Sequence, residues 1–237
     1  MAVPPTPLRA VCLVSGGMDS AVALAEARAL GFACHALTVG YGQRHACELA
    51  AAERVARSLG VAEHRVATVE LGALAASALT GSAAVPKDRA ESAIGERGVP
   101  ATYVPARNTV LLALALAWAE TLGARDLFLG VNAIDYSGYP DCREEFLRAF
   151  EDLASLATAE GTERGARYQV HAPLVTLTKR DIVLRAEALG VDLALTHTCY
   201  DPHERAGRWL ACGRCDACTL RLKGFREAGR ADPVAYA

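Results

Sequence analysis

Short apolar runs alternate along the first part of the chain with longer stretches in which apolar residues recur at helical spacing. Ala10–Val14 is apolar and partly β-branched, which predicts a strand, and the Ala/Leu-rich Ser20–Leu30 predicts a helix that ends at Gly31. A second strand is predicted at Cys34–Val39 and a second helix at His45–Leu59. Such alternation indicates a parallel sheet covered by helices. The apolar face of the second predicted helix carries Leu49, Ala52, Val55, Ala56 and Leu59.

The same alternation continues to residue 192. A capping box formed by Thr178 and Asp181 predicts the start of a last long helix, which runs through Leu189 and ends at Gly190. We therefore predict an α/β fold of the Rossmann-like type, with helices on both faces of a parallel sheet. The other elements predicted here are a strand at Arg65–Val69, a buried helix at Asn108–Leu122, a strand at Leu127–Val131, and an amphipathic helix at Arg143–Ala157 with Phe146, Phe150 and Leu153 facing inward.

Changes in composition divide the chain into segments. The predicted organisation is an N-terminal tail at residues 1–9, an α/β domain at 10–192 and a cysteine-rich C-terminal segment at 193–237. Residues 72–103 are rich in Ala, Ser and Gly without a sustained period, and Lys87–Arg97 is densely charged. We predict a mobile excursion from the core there, either a solvated loop or a lid.

Length and charge restrict the function classes. With 237 residues, the chain fits one domain with or without an appendage. Its formal charge of −2 provides no overall positive field for a polyanion, which favours a small-molecule substrate over nucleic acid. The N-terminus lacks a secretory pattern, and the longest apolar run, Val110–Ala119, is too short to span a bilayer, so a cytoplasmic protein is expected.

A glycine-containing string, Ser15-Gly16-Gly17-Met18-Asp19-Ser20, separates the first predicted strand from the first helix. Backbone N–H groups and the positive end of a helix bind phosphate at such a junction, and paired glycines let the backbone approach the anion. The Asp19 carboxylate suits Mg²⁺. A plain glycine turn capped by Asp19 or Ser20 is the alternative. The predicted nucleotide-binding residues are Val14, Ser15, Gly16, Gly17, Met18, Asp19 and Ser20.

Four of the eight cysteines cluster near the C-terminus, at Cys199, Cys212, Cys215 and Cys218. Two successive C-x-x-C intervals and a fourth cysteine thirteen residues upstream match the spacing of metal ligands. Four thiolates complete a tetrahedral Zn²⁺ site and leave no position for water, so we predict structural zinc. An iron–sulfur cluster, or four buried cysteines acting as small hydrophobic residues, are the alternatives.

The phosphate-loop string resembles the signature of PP-loop ATP pyrophosphatases, which transfer AMP to a substrate oxygen and release pyrophosphate. Neither a G-x-x-x-x-G-K-[ST] string nor a G-x-G-x-x-G after a strand occurs in the chain. Together with the phosphate loop and the cysteine segment, further strings resemble the 7-cyano-7-deazaguanine synthase family from Ser15 to about Gly224. These strings are Tyr41–His45, Val104–Thr109, Gly130–Asn132, Asp135–Arg143 and Ala211–Cys218.

That resemblance implies an ATP-dependent ligase that acts on 7-carboxy-7-deazaguanine and ammonia, and it suggests a homodimer. Asp19 and Lys179 would act on the phosphates with Mg²⁺. Arg107 could bind a carboxylate or phosphate, or form a surface ion pair, while Asn108 and Thr109 could cap the buried helix. Asp135 or Asp141 could accept hydrogen bonds from a guanine-like ring and Tyr136 could stack on it, although either Asp could be a turn residue.

Two other classes remain open from the sequence. A PP-loop enzyme that delivers sulfur to tRNA would use its cysteines in catalysis, but it would need an RNA-binding surface that the near-neutral charge does not indicate. A non-catalytic zinc-ribbon interaction protein would not need the phosphate loop. Release of pyrophosphate from ATP would separate the enzyme from the interaction protein.

Overall fold

A five-stranded parallel sheet, in the strand order β3-β2-β1-β4-β5, forms the centre of the computed structural model. The structure describes residues 7–42, 47–94, 98–132 and 139–237. The strands are β1 (Arg9–Leu13), β2 (Ala33–Gly40), β3 (Glu63–Thr68), β4 (Asp126–Phe128) and β5 (Gln169–His171), and the helices that alternate with them are α1 (Met18–Ala29), α2 (Cys47–Ser58), α3 (Arg107–Leu122), α4 (Glu144–Ala157), α5 (Ala159–Arg164) and α6 (Lys179–Ala188).

The two faces of the sheet are buried against different helices. In β1, Val11 packs in a cluster with residues of α3 and α4, whereas its neighbour Cys12 packs with residues of α1 and α2. This follows from the period of two in a strand, because successive side chains point to opposite faces. The predicted fold class, with helices on both faces of a parallel sheet, is therefore confirmed.

Beyond residue 192 the chain forms a two-stranded antiparallel ribbon and a helix. The ribbon consists of β6 (His203–Arg205) and β7 (Arg208–Leu210), and the helix is α7 (Asp216–Glu227). Helix α7 lies so close to α6 that a Cβ atom added at Gly224 would lie 2.7 Å from the Cβ of Lys179. The cysteine segment therefore packs directly on the sheet-covering helices.

The sequence patterns located most elements of the α/β part and missed five later helices and strands. Strands β1 to β4 and helices α1 to α4 and α6 lie where they were predicted, except that the predicted start of α2, His45, is outside the described residues. The capping box is present, since Thr178 Oγ1 accepts from the Asp181 amide and the Thr178 amide donates to the Asp181 carboxylate. The elements that the pattern missed are α5, β5, the β6–β7 ribbon and α7.

Two details of the predicted helices were wrong. Leu153 is 51% exposed, whereas Phe150 is buried and Phe146 packs half-buried against the core, as predicted. Helix α4 buries Leu147 and Ala154 in place of Leu153. Asn108 and Thr109 do not cap α3, whose N-cap position is Ala106. No helix within the described residues is long and apolar enough to cross a bilayer.

Candidate active site and cysteine cluster

A cavity of about 200 Å³ lies at the carboxyl ends of β1, β2 and β4. In an open parallel sheet, ligands bind where the strand order reverses, and here β2 and β4 flank β1 on opposite sides. Six of the seven predicted nucleotide-binding residues line this cavity: Val14, Ser15, Gly17, Met18, Asp19 and Ser20. The other lining residues used below are Tyr41, Glu48, Arg107, Asn132, Tyr139, Cys142, His197, Thr198 and Tyr200.

Gly16, the seventh of these residues, fixes the path of the loop. Its φ is +86°, a left-handed conformation that favours glycine. A Cβ atom at Gly16 would lie 2.5 Å from the carbonyl oxygen of Glu48 and 2.6 Å from the amide of Ala52. The loop therefore packs directly on the backbone of α2, which only glycine permits.

Internal hydrogen bonds hold the phosphate loop in place. The Ser15 amide donates to Ser20 Oγ at 3.2 Å, and that hydroxyl donates to the Gly17 carbonyl at 3.0 Å. Gly17 is the N-cap residue of α1 and provides no side-chain cap. Because Gly17, Met18, Asp19 and Ser20 all line the cavity, the positive end of α1 faces it. The loop can thus bind an anion without rearranging its side chains.

Asp19 and Lys179 form an ion pair at the edge of the loop, with Lys179 Nζ 2.6 Å from Asp19 Oδ2. The Lys179 side chain is 3% exposed, so the pair is largely removed from water. The second carboxylate oxygen, Asp19 Oδ1, is buried and has no hydrogen-bond partner among the described residues. An unpaired buried carboxylate oxygen beside an anion-binding loop fits a cation such as Mg²⁺, which prefers oxygen ligands.

Two close contacts place these groups. A Cβ atom at Gly130, which follows β4, would lie 2.6 Å from the Ser20 amide, so β4 can approach the start of α1 only because this residue is glycine. Asn132 then donates from its side-chain amide to the carbonyls of Leu174 and Leu177, just before α6. Through these contacts, the end of β4 sets the position of Lys179 relative to the loop.

Arg107 enters the cavity from the first residue of α3. The preceding residue, Ala106, has φ of 54°, which non-glycine residues rarely adopt, so the chain turns sharply into the helix. The guanidinium carbon lies 5.9 Å from the centre of the Tyr41 ring. Burial alone would lower the pKa of Arg107, but Tyr41 and Tyr139 nearby raise it, so the cation persists. It is placed to attract a carboxylate or phosphate.

Glu48, on the first turn of α2, is a cavity residue that the sequence analysis missed. Burial raises the pKa of its carboxyl group from 4.5 to about 7, and Arg107 partly opposes this change. A group with this pKa can accept or release a proton at neutral pH. Glu48 lies seven residues after Tyr41, in a stretch that we interpreted only as an amphipathic helix, so no sequence signal separated it from surface glutamates.

Cys142 also lines the cavity, but its thiol is a poor nucleophile. Burial, assisted by the charge of Asp141, raises the pKa of Cys142 to about 12. The Asn108 side-chain amide donates to its sulfur at 3.4 Å. Because the thiolate is the reactive form, Cys142 is inert at neutral pH.

The predicted substrate residues other than Arg107 do not come together in this cavity. Asp141 is buried and accepts a hydrogen bond from the Asn108 amide at 3.0 Å, so its carboxylate caps the first turn of α3. It is not among the described residues that line the cavity. Asp135 and Tyr136 lie outside the described residues.

The four C-terminal cysteines come together as predicted. One potential ligand atom from each of Cys199, Cys212, Cys215 and Cys218 lies within 4.8 Å of the others, and all four residues are buried. The sulfurs of Cys212 and Cys218 are 3.9 Å apart. Four sulfurs at ~2.3 Å from a tetrahedral ion would be separated by about 3.8 Å. The arrangement can therefore hold a metal ion.

Backbone amides donate to these sulfurs, as expected for thiolates. Cys199 Sγ accepts from the amides of Asp201 at 3.3 Å and Cys212 at 3.2 Å. Cys212 Sγ accepts from the amides of Arg214 at 3.4 Å and Cys215 at 3.3 Å. Such bonds favour the charged form of sulfur that ligates metals. The chemistry of the cluster thus fits a soft or borderline cation.

The segment predicted as an excursion packs against the cysteine cluster. Leu79 and Val85 are buried in one hydrophobic cluster with Cys212 and Cys218. The charged residues that are dense in this part of the sequence form ion pairs with the C-terminal segment. These ion pairs are Lys87–Asp201 at 2.6 Å, Arg89–Asp216 at 2.8 Å, Glu91–Arg226 at 2.7 Å, and Asp88–Arg214. The mobility of residues 72–103 stays a prediction.

Sequence comparisons with known proteins identify the family. The family described as queuosine biosynthesis protein QueC matches residues 9–229. The 7-cyano-7-deazaguanine synthase of Thiobacillus denitrificans is 61% identical over 229 residues, which cover 96% of this chain and 98% of that protein. Proteins of the same name from Paramagnetospirillum magneticum, at 57% identity over 96% and 98% of the two chains, and Aromatoleum aromaticum, at 59% identity over 97% and 98%, are similarly close.

These matches span nearly the whole chain and confirm the family resemblance predicted from its motifs. The matched residues include both the phosphate loop and the cysteine segment. The chain therefore belongs to the QueC family of queuosine biosynthesis proteins and is an enzyme.

Proposed function

We propose that this enzyme converts 7-carboxy-7-deazaguanine and ammonia into 7-cyano-7-deazaguanine, using ATP and passing through adenylated intermediates. One observation carries the proposal: the phosphate loop and the Arg107 guanidinium line one cavity, in a chain whose relatives bear the name of that synthase. An anion-binding loop beside a carboxylate-binding cation would bring the two anionic reactants together. Charge neutralisation and orientation would then lower the barrier.

The chemistry requires the carboxylate to be activated twice. A carboxylate oxygen attacks the α-phosphorus of ATP and pyrophosphate leaves, which makes the carbon electrophilic. Ammonia attacks that carbon and AMP leaves, giving the amide after loss of a proton. The amide oxygen attacks a second ATP and pyrophosphate leaves again. Loss of AMP and of both protons from nitrogen then gives the nitrile.

The phosphates would be bound by the loop Ser15–Ser20 and by the pair Asp19 and Lys179. Backbone amides at the start of α1 would hold phosphate oxygens, and Lys179 would neutralise charge on the triphosphate. Asp19 would hold Mg²⁺ through its unpaired Oδ1, and the bound ion would supply further charge neutralisation. Arg107 would bind and orient the substrate carboxylate.

Glu48 would accept the protons that the reaction releases in the cavity. Addition of ammonia releases one proton and formation of the nitrile releases two, and a carboxylate with a pKa of about 7 can take a proton at neutral pH. Cys142 would not take part covalently, since its pKa is raised to about 12. AMP already activates the carbon, so no thioester is needed.

We also propose that the metal held by the cysteine cluster is zinc with a structural role. Four thiolates would complete a tetrahedral shell, and none of the four cysteines is among the described residues that line the cavity. Sulfur delivery to tRNA is not favoured, because the cysteine in the cavity, Cys142, is held in its protonated form.

A single reaction mixture tests the proposed function. Purified protein is incubated with ATP, Mg²⁺, ammonium and 7-carboxy-7-deazaguanine, and the products are analysed by mass spectrometry. We expect the nitrile, AMP and pyrophosphate, with two ATP consumed for each nitrile formed. Failure to release AMP and pyrophosphate would contradict the adenylation chemistry. A homodimer in the cytoplasm remains our expectation, and light scattering would test the dimer.

A further inference from the structure

Three consecutive residues, His197 to Cys199, connect the phosphate loop with the cysteine cluster. The His197 amide donates to the Gly16 carbonyl at 2.8 Å. The Met18 amide donates to Thr198 Oγ1 at 3.4 Å, and Cys199 supplies one sulfur of the cluster. The C-terminal segment therefore contacts the phosphate loop directly, although the two lie about 180 residues apart in the sequence.

The hydroxyl of Thr198 is oriented by a buried cation. Arg221 Nη1 on α7 donates to Thr198 Oγ1 at 3.1 Å. The Arg221 side chain is 2% exposed, and the carboxylate of Asp232 binds it in a bidentate pair at 2.7 and 2.9 Å. A guanidinium fixed in this way has few alternative positions, so it fixes the direction of the bond that it donates.

These contacts determine what the Thr198 hydroxyl can still do. A hydroxyl has two acceptor positions and one donor hydrogen, and Arg221 and the Met18 amide occupy the acceptor positions. The hydrogen is left to donate to a third group. Thr198 is half-buried and lines the cavity beside Gly17, whose added Cβ atom would lie 4.0 Å from Thr198 Oγ1.

We propose that Thr198 is a phosphate-binding residue, whose hydroxyl donates to a phosphate oxygen of ATP and is positioned for this by Arg221. The inference rests on the proposed use of ATP. It extends the phosphate site beyond the loop Ser15–Ser20 to a residue of the C-terminal segment. Because Arg221 lies on α7 one turn after Cys218, the helix that contributes to the cysteine cluster also completes the nucleotide site.

Substitution of Thr198 by Val, which removes the hydroxyl at nearly constant shape, tests the proposal. Binding of α,β-methylene-ATP, in which the bond broken in adenylation is replaced, is measured by calorimetry with Mg²⁺, and adenosine serves as a ligand without phosphates. Loss of a hydrogen bond to a charged group weakens binding roughly 10- to 100-fold. We expect T198V to lose this much affinity for the ATP analogue while its affinity for adenosine stays unchanged.

Two variants control for a purely structural effect. Thr196 also accepts from Arg221 Nη1, at 2.7 Å, but it is buried and is not among the described residues that line the cavity. T196V should lower the melting temperature while the affinity for the analogue stays within about threefold. T198S, which keeps the hydroxyl, should retain affinity to the same extent.

The outcomes separate the two proposals. If the wild-type protein binds the analogue and T198V binds it equally well, Thr198 is not a phosphate ligand and only this inference fails. Equal loss of adenosine and analogue in T198V would show a distorted cavity and would also overturn the assignment. A wild-type protein that binds no analogue would overturn the ATP-dependent function itself, and the role of Thr198 with it.

Discussion

The two halves of the cavity are built in different ways. One half, which we propose to bind the phosphates and call the phosphate half, comes mainly from one contiguous string, Ser15–Ser20, at the start of α1. The opposite half, which we call the substrate half, is assembled from separate parts of the chain: Tyr41, Glu48, Arg107 and Tyr139. Backbone chemistry at a strand–helix junction leaves a local sequence signal, whereas a wall of distant side chains does not. If the two halves also divide the work of catalysis, substitutions in each half should impair different steps.

The largest expected effect is that of Asp19→Ala, which removes the carboxylate of the phosphate half. Loss of the partner of Lys179 and of the proposed cation ligand should reduce release of AMP and pyrophosphate by about 10³-fold or more. Pyrophosphate release measures the rate, and circular dichroism and metal analysis should show an intact fold and cysteine cluster. Asp152→Ala, an exposed change on α4, serves as the control. Full turnover by folded D19A would remove Asp19 from the phosphate site.

Cys215→Ser should damage the phosphate half indirectly. Loss of one thiolate from a closed four-sulfur site should lower metal content and the free energy of unfolding, by roughly 3 kcal/mol or more. His197 and Thr198, which immediately precede Cys199, form hydrogen bonds with Gly16 and Met18 of the phosphate loop. Loss of the metal should therefore also lower the affinity for ATP. Metal analysis and thermal unfolding provide the measurements. Cys34→Ser, at a buried cysteine outside the cluster, is the control and should leave metal content unchanged. Iron with sulfide, or no metal in the wild type, would contradict the zinc assignment.

Some of these regions could be predicted from the sequence and others could not, for physical reasons. The sheet could be predicted from β1 to β4 because apolar periodicity reports burial directly. Strand β5 could not, since Gln169–His171 contains a single buried apolar residue. The cysteine cluster could be predicted from the spacing of its residues, and the position of the loop Ser15–Ser20 from its glycines between a predicted strand and helix. Thr198 and Arg221 were not, because an isolated Thr or Arg carries no signal until folding buries it beside a partner.

Glu48→Gln tests the proposed proton acceptor in the substrate half of the cavity. The folded-state pKa of Glu48, about 7, lies above its ordinary 4.5, so the folded protein binds this proton more tightly than the unfolded chain does. The contribution of Glu48 to the free energy of unfolding is therefore greatest below about pH 4.5, and it is lost as pH rises towards 7. Glutamine does not ionise, so the melting temperature of E48Q relative to wild type should rise between pH 5 and pH 8. Nitrile formation should fall by about 10- to 100-fold.

The pH profile separates a proton acceptor from a structural residue. If Glu48 accepts protons, wild-type turnover should rise with pH and level off above about 7, and E48Q should lose that rise. Glu53→Gln, an exposed change on the same helix, should alter neither the profile nor the relative melting temperature. A pH profile of E48Q that parallels that of the wild type would contradict the assignment.

The smallest effect concerns Arg107→Ala, and it tests the division of work most directly. If the amide is an intermediate, the wild-type enzyme should convert 7-amido-7-deazaguanine into the nitrile with ATP and Mg²⁺ but without ammonium. Arg107 is proposed to bind a carboxylate charge that the amide lacks, so R107A should reduce kcat/KM for the acid about tenfold more than for the amide. Arg148→Ala, which removes an exposed arginine of α4, should affect neither substrate. Equal losses of kcat/KM on both substrates would show that Arg107 binds ATP or stabilises the fold. If it binds ATP, both halves of the cavity bind the phosphates. Failure of the wild-type enzyme to dehydrate the amide would overturn the two-stage mechanism, since the same phosphate loop must adenylate an oxygen on either substrate.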